Sequence, residues 1–208
     1  MKLYFVRHGK TVWNLERRFQ GMTGDSPLLE ESYEQTAILG DYLADTEFKK
    51  VIVSPSKRAQ DTAKGIIEKN KNPLIIETDK RLYEWKLGNL EGREIEKVTE
   101  QFPEQIYAFR NNPAEFDGSI FGAENVSQVI TRVKEVVDDL ATDPTISPND
   151  NILIVSHGAT LTSSIQSLIG TPNDQLRKDG ILSNSSLTIV DVKNPDNIEL
   201  IEWNKIVY

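Results

Sequence analysis

No cysteine occurs among the 208 residues. Disulfides, thiolate catalysis and Cys-ligated zinc are therefore excluded, and the chain suits a reducing compartment. Long apolar runs are also missing: none approaches the length of a membrane span. The N-terminal run from Lys2 to Val6 is too short for a secretory signal and leads directly into Arg7. The expectation is a cytoplasmic protein without a membrane partner. Cations are in deficit, with 24 Lys+Arg against 32 Asp+Glu and a formal net charge of −8. Such a balance has no excess positive charge to displace counterions from phosphates, so no nucleic-acid partner is expected. An anion site, if there is one, must be built from a local concentration of arginines. No cluster of carboxylates and histidines has metal-ligand spacing, and neither a metal nor a cofactor is expected. There is no internal repeat, low-complexity tract or long linker.

What is present alternates. Short apolar, β-prone runs lie at Lys2 to Val6, Val51 to Val53, Leu74 to Ile76 and Ile152 to Val155. Near-continuous apolar runs of this kind mark strands covered on both faces. Helical periodicity appears between them, at Tyr33 to Leu43, Ser56 to Glu68, Val126 to Leu140 and Leu161 to Ile169, with the strongest stripe in the third. Strand–helix alternation predicts an α/β fold: a mostly parallel central sheet with helices on both faces, a three-layer sandwich. Ser186 to Val192 and Ile198 to Trp203 flank Asn194-Pro195-Asp196-Asn197, which predicts an edge hairpin. Residues 84–123 interrupt the alternation with charges, glycines, prolines and weak helical signals. They are expected to form an insertion over the sheet within a single domain spanning 1–208, a length that folds without a disulfide or structural metal.

The protein has two histidines, and each follows a predicted strand and precedes a glycine: Arg7-His8-Gly9 and Ser156-His157-Gly158. Ligands bind open parallel sheets at the carboxyl ends of strands, so two such histidines can meet across one crevice. Glycine after each would let the backbone approach a ligand and turn its N–H inward. A third strand end supplies Ser54-Pro55-Ser56-Lys57-Arg58, opening a helix. Beside Arg7 and a helix N-terminus, Arg58 becomes an anion-binding candidate.

Arg7-His8-Gly9-Lys10-Thr11, Trp13-Asn14, Arg18-Phe19-Gln20-Gly21 and Asp25-Ser26-Pro27-Leu28 resemble the opening signature of the histidine phosphatase superfamily, phosphoglycerate mutase-like branch. The likeness continues in order through Ser54 to Ala63, Leu82-Tyr83-Glu84, Gly122 to Asn125, Val155 to Gly158 and Asn184 to Leu187. The resemblance implies that His8 is the nucleophile and forms phosphohistidine. It implies that Arg7, Arg58 and a cationic His157 hold the non-bridging oxygens, with Asn14 and the N–H of Ala159 as neutral donors. Glu84 would protonate the leaving alkoxide and then activate water, with Glu91 and Glu124 as substitutes should it not serve. Arg18, Gln20 and Gly21 are possible substrate contacts; for Arg18, pairing with Asp25 or another acid is an equal reading. Two positions depart from the family pattern. Lys10 stands where an acidic residue or glutamine is common, and would bring a cation to the phosphate or to a second anionic group. Ser32 stands where glycine is usual. Trp13, Trp85 and Trp203 read as packing residues, with Trp85 also able to line the mouth.

A small phosphorylated metabolite is the expected partner, and phosphomonoester hydrolysis the expected reaction. Cofactor-dependent phosphoglycerate mutation is the alternative, and a non-catalytic phospho-ligand module is a third reading. Whether the protein forms a homo-oligomer is left open by the sequence.

Overall fold

The computed structural model describes every residue except 196. Six strands, β1 (Lys2–Arg7), β2 (Phe48–Val53), β3 (Ile76–Thr78), β4 (Asn151–Ser156), β5 (Leu187–Asn194) and β6 (Asn197–Lys205), form one sheet in the order β3-β2-β4-β1-β5-β6. The first four in that order run parallel, while β5 is antiparallel to both β1 and β6. The main helices are α1 (Val12–Leu15), α2 (Glu30–Tyr42), α3 (Lys57–Ile67), α4 (Ile95–Gln101), α5 (Pro103–Asn111), α6 (Val126–Thr142) and α7 (Gly158–Leu168).

Side chains alternate across a strand, and the central strands use both directions. Ile152 and Ile154 of β4 pack with Leu3 and Phe5 of β1 against Val136, Val137 and Leu140 of α6 and Leu161 and Ile165 of α7. Leu153 and Val155 pack with Val6 against Leu39 of α2 and Ala59, Ala63 and Ile66 of α3. That is the three-layer sandwich the alternation predicted, and it explains why β4 reads as an unbroken apolar run. The third strand needs correction. It begins at Ile76 rather than Leu74, lies at the sheet edge, and leaves Ile75 84 % exposed. An apolar triplet carries no information on which neighbours will cover it. The terminal hairpin forms as β5 and β6; Asp196 of its turn lies outside the described residues.

Residues 84–123 contain more order than their weak periodicity suggested. Two short helices, α4 and α5, are joined through Phe102, with Pro103 opening α5, where a missing N–H costs nothing. An aromatic cluster holds them: the Phe109 ring lies 5.2 Å from both Trp85 and Phe116, edge-on to each, the offset geometry aromatic pairs prefer. Trp85 is fully buried and donates its indole N–H to the Glu124 carbonyl at 2.7 Å. It is therefore a packing residue and does not line the mouth. The cluster continues onto Val126 and Val129 of α6 and Ala159 of α7, which fixes the insertion above the carboxyl ends of the strands.

Candidate active site

Strand order brings the predicted residues together. β4 lies between β2 and β1, with Arg7 level with Ser156 and Val53 level with Val155. Ser54, His157 and His8 therefore emerge side by side where the parallel strands end. The two imidazole centroids are 5.2 Å apart.

His8 is 3 % exposed, and its Nδ1 lies 2.7 Å from the Gly9 carbonyl oxygen. A carbonyl only accepts, so Nδ1 carries the hydrogen and Nε2 of the neutral ring carries a lone pair. Burial, and then the adjacent Arg58 and Arg7, hold the His8 pKa well below its ordinary value. His157 is fully buried, with Nε2 2.7 Å from the Ser54 hydroxyl and Nδ1 without a partner. Burial, Arg58 and His8 lower its pKa well below the ordinary value too. In the field of these arginines the neutral ring is favoured, and an arriving anion would reverse that field, so the cationic His157 implied by the resemblance belongs to the liganded site.

Each glycine makes room for a specific neighbour, and the Gly9 N–H does not turn inward as expected. The Gly9 N–H donates to the Thr62 hydroxyl at 2.9 Å, away from any ligand, and a Cβ at Gly9 would lie 2.9 Å from Ser32 Cβ. Ser32, the unusual residue, donates to the Lys10 carbonyl at 2.8 Å and so braces the same turn. A Cβ at Gly158 would meet Arg7 Nε at 2.8 Å. Its glycine lets the Arg7 guanidinium lie against the start of α7.

The arginines are held by backbone carbonyls. Arg7 Nη1 donates to Leu182, and burial brings the Arg7 pKa down to about 10 despite the opposing pull of Glu84. Arg58, 1 % exposed, donates from Nη1 to the Gly24 carbonyl at 2.8 Å and to Asp25 at 3.0 Å, and from Nη2 to the Gly21 carbonyl at 2.9 Å. The Nε of each arginine is buried and unpartnered. Asn14 Oδ1 accepts from the Thr11 N–H at 3.1 Å and from Asn184 Nδ2 at 3.4 Å, which leaves its Nδ2 as the donor end.

Glu84 stands across the cleft. Its Oε1 accepts from the N–H groups of Trp85 and Thr160, each at 2.9 Å, and from the Thr160 hydroxyl at 2.8 Å. Its Oε2 accepts from the Ala159 N–H at 3.2 Å. The Ala159 N–H, expected to face phosphate, is thus engaged by the carboxylate. The substitute acids are structural. Glu91 ties down the loop at 22–24 by accepting from Met22, Thr23 and Gly24 backbone N–H groups, and Glu124 pairs with Arg132 at 3.0 Å.

Two possible substrate contacts are paired with acids, which for Arg18 is the alternative reading. Lys10 pairs with Glu31 at 3.3 Å. Arg18 pairs with Glu16 at 2.7 Å and Glu94 at 3.4 Å and donates to the Gly92 carbonyl, while Asp25 is taken by Arg58. Arg18 still lines the cleft, as do Gln20 and Gly21. Gln20 is fixed by donation to the Thr11 hydroxyl at 2.8 Å. The cleft encloses about 150 Å³. Beyond the predicted set it is walled by Phe19, Leu87, Ile95, Phe109, Arg110 and Ile181. Four of these belong to the insertion, and no local motif marked them, because a wall is defined by packing between distant segments. Arg177 also escaped notice. It is 5 % exposed, sits behind that wall with one 3.3 Å bond to the Ala159 carbonyl, and leaves Nε and Nη1 unpartnered. Among the described residues no group of three or more His, Asp or Glu could hold a metal ion, and no helix is long and apolar enough to cross a membrane.

Residues 3–206 match the family model described as histidine phosphatase superfamily (branch 1). Over 194 residues the chain is 34% identical to a probable phosphoglycerate mutase GpmB of Yersinia enterocolitica, covering 92% of this chain and 85% of the relative. It is 30% identical over 165 residues to an uncharacterized phosphatase PhoE of Bacillus subtilis, covering 79% and 76%. Among solved structures, Bacillus stearothermophilus YhfR superimposes with a TM-score of 0.86 at 28% identity, covering 99% of this chain and 97% of that one. A mycobacterial glucosyl-3-phosphoglycerate phosphatase in complex with VO3 gives 0.86 at 25% identity, covering 98% of each.

Proposed function

Because the chain belongs to the histidine phosphatase superfamily, branch 1, we propose that it hydrolyses a small phosphorylated metabolite through a phosphohistidine on His8. The observation that carries this reading is the 2.7 Å contact between His8 Nδ1 and the Gly9 carbonyl, from which the tautomer follows. With its hydrogen committed at Nδ1 to Gly9, Nε2 presents a lone pair in a cleft lined by Arg7, Arg58 and Glu84. In-line attack forms the Nε2–P bond as the P–O bond to the leaving group breaks. Arg7, Arg58, His157 and Asn14 would stabilise the charge on the non-bridging oxygens. Glu84 would pass a proton from Oε2 to the departing alkoxide, then take one from the water that attacks phosphorus and frees His8. The apolar wall from the insertion favours a leaving group with an apolar portion.

A screen of phosphorylated metabolites tests this, following phosphate release in the presence of a chelator and without added bisphosphoglycerate. Acid-quenched labelling should recover phosphohistidine from the native protein and none from His8→Ala. Phosphoglycerate isomerisation that requires a bisphosphoglycerate primer, with no net phosphate release, would instead support the mutase reading that several relatives' names carry.

A further inference from the structure

We propose that Thr160 is the positioning residue of Glu84, selecting Oε2 as the oxygen that exchanges the proton and stabilising the carboxylate left behind. The inference rests on the role given to Glu84 above. The two carboxyl oxygens are unequally held. Oε1 receives three donors within 2.9 Å, two of them from Thr160, whereas Oε2 receives one, the Ala159 N–H at 3.2 Å. Oε1 is thereby the more fully engaged oxygen, and Oε2 keeps lone-pair capacity for a proton in a side chain that lines the cleft.

The Thr160 hydroxyl adds a second property. It is fully buried, and its oxygen lies 2.8 Å from Glu84 Oε1 and 3.2 Å from the Tyr83 carbonyl oxygen. A hydroxyl has one hydrogen, so it serves one of these acceptors at a time. The Tyr83 carbonyl does not depend on it, because Arg132 also donates there at 2.7 Å. When the Oε2–H bond breaks and the proton bonds to the leaving oxygen, negative charge spreads to Oε1, and the hydroxyl hydrogen is drawn to it. A hydrogen bond made to the charged form strengthens the acid as it acts, and rotating one O–H requires no movement of heavy atoms.

Thr160→Val replaces the hydroxyl by a methyl of similar shape and keeps the backbone N–H; Thr160→Ser keeps the hydroxyl. Single-turnover phosphorylation of each variant is measured with an alkyl phosphate and with p-nitrophenyl phosphate, whose leaving group needs little protonation. Thr160→Val should lose roughly tenfold or more on the alkyl ester and under about threefold on the nitrophenyl ester. Thr160→Ser should restore the rate on the alkyl ester. Equal losses on the two substrates, or failure of serine to restore the alkyl-ester rate, would overturn the assignment. If the valine variant does not fold, Thr160→Ala carries the same comparison. Glu84→Gln, run in parallel, separates the two ideas. A substrate contrast in Glu84→Gln but none in the Thr160 variants removes this inference alone. No contrast in Glu84→Gln removes the acid role on which it rests.

Discussion

Of the four arginines that line the cleft, Arg7 and Arg58 act on the two histidines, and both are held by carbonyl oxygens of loops. Arg58 does meet Asp25, but that carboxylate is about one-third exposed and occupies one nitrogen only. Each arginine side chain lines the cleft and keeps an unmet donor in its buried, unpartnered Nε. Arg7→Ala and Arg58→Ala should therefore each cost about 2–4 kcal/mol of transition-state stabilisation, the range seen for single donors to a developing oxyanion. The kcat/KM ratio of variant to native protein measures it, and a native ratio would remove that arginine from the phosphate pocket. Arg177 calls for the opposite expectation. Burial brings its pKa down to about 10, and only one of its three nitrogens has a bond. Replacing a poorly compensated buried charge with an apolar side chain of similar length is often neutral or stabilising. Arg177→Met should thus leave the unfolding free energy unchanged or raised. A loss of more than about 2 kcal/mol would show that its contact with the Phe109 ring, 5.9 Å away, matters more than its desolvation.

At the scale of elements, β4 and α7 were the most legible, since a strand buried on both faces is apolar at every position and its helix follows at once. His157 was legible for the same reason: a polar Ser-His-Gly after such a run marks a strand end. The edge strand β3 and the short helices α4 and α5 were poorly legible. An edge strand is fixed by one neighbour, and short helices are held by aromatic packing rather than by periodicity. The strand–turn–helix junction after β4 supports a sharp test. Gly158→Ala places a methyl within 2.8 Å of Arg7 Nε, which can only yield by moving the guanidinium. Alanine suits a helix better than glycine by about 1 kcal/mol, so the fold should not suffer. The expected result is a kcat/KM lowered by roughly tenfold or more with an unchanged melting temperature, because small misplacements of a positioning group carry large rate penalties. Native activity in this variant would show that Arg7 has a second productive orientation.

For the molecule as a whole, net charge requires any anion site to be local, but it could not say that both histidines would sit within the arginines' field. That placement has a consequence for stability. Burial and the arginines lower both histidine pKa values in the fold, while in the unfolded chain each returns to near 6.5. As pH falls below 6.5, the unfolded state takes up protons that the folded state refuses, so unfolding becomes more favourable. Stability should be fully present above pH 6.5 and decline below it, by up to about 2 kcal/mol per histidine at pH 5. Depressed carboxylates such as Glu91 add to the decline only at lower pH, since their ordinary titration lies nearer 4. Urea unfolding at intervals from pH 7.5 to 5.5 isolates the histidine contribution. His8→Asn should show a shallower slope than the native protein across this window, because one refused proton has been removed. Inorganic phosphate should flatten the native slope further: an anion bound between Arg7 and Arg58 relieves the field that keeps His157 neutral and stabilises the fold by mass action. Identical slopes in the native protein and His8→Asn, with or without phosphate, would mean that the histidines titrate normally and that the arginines act on a ligand without acting on them.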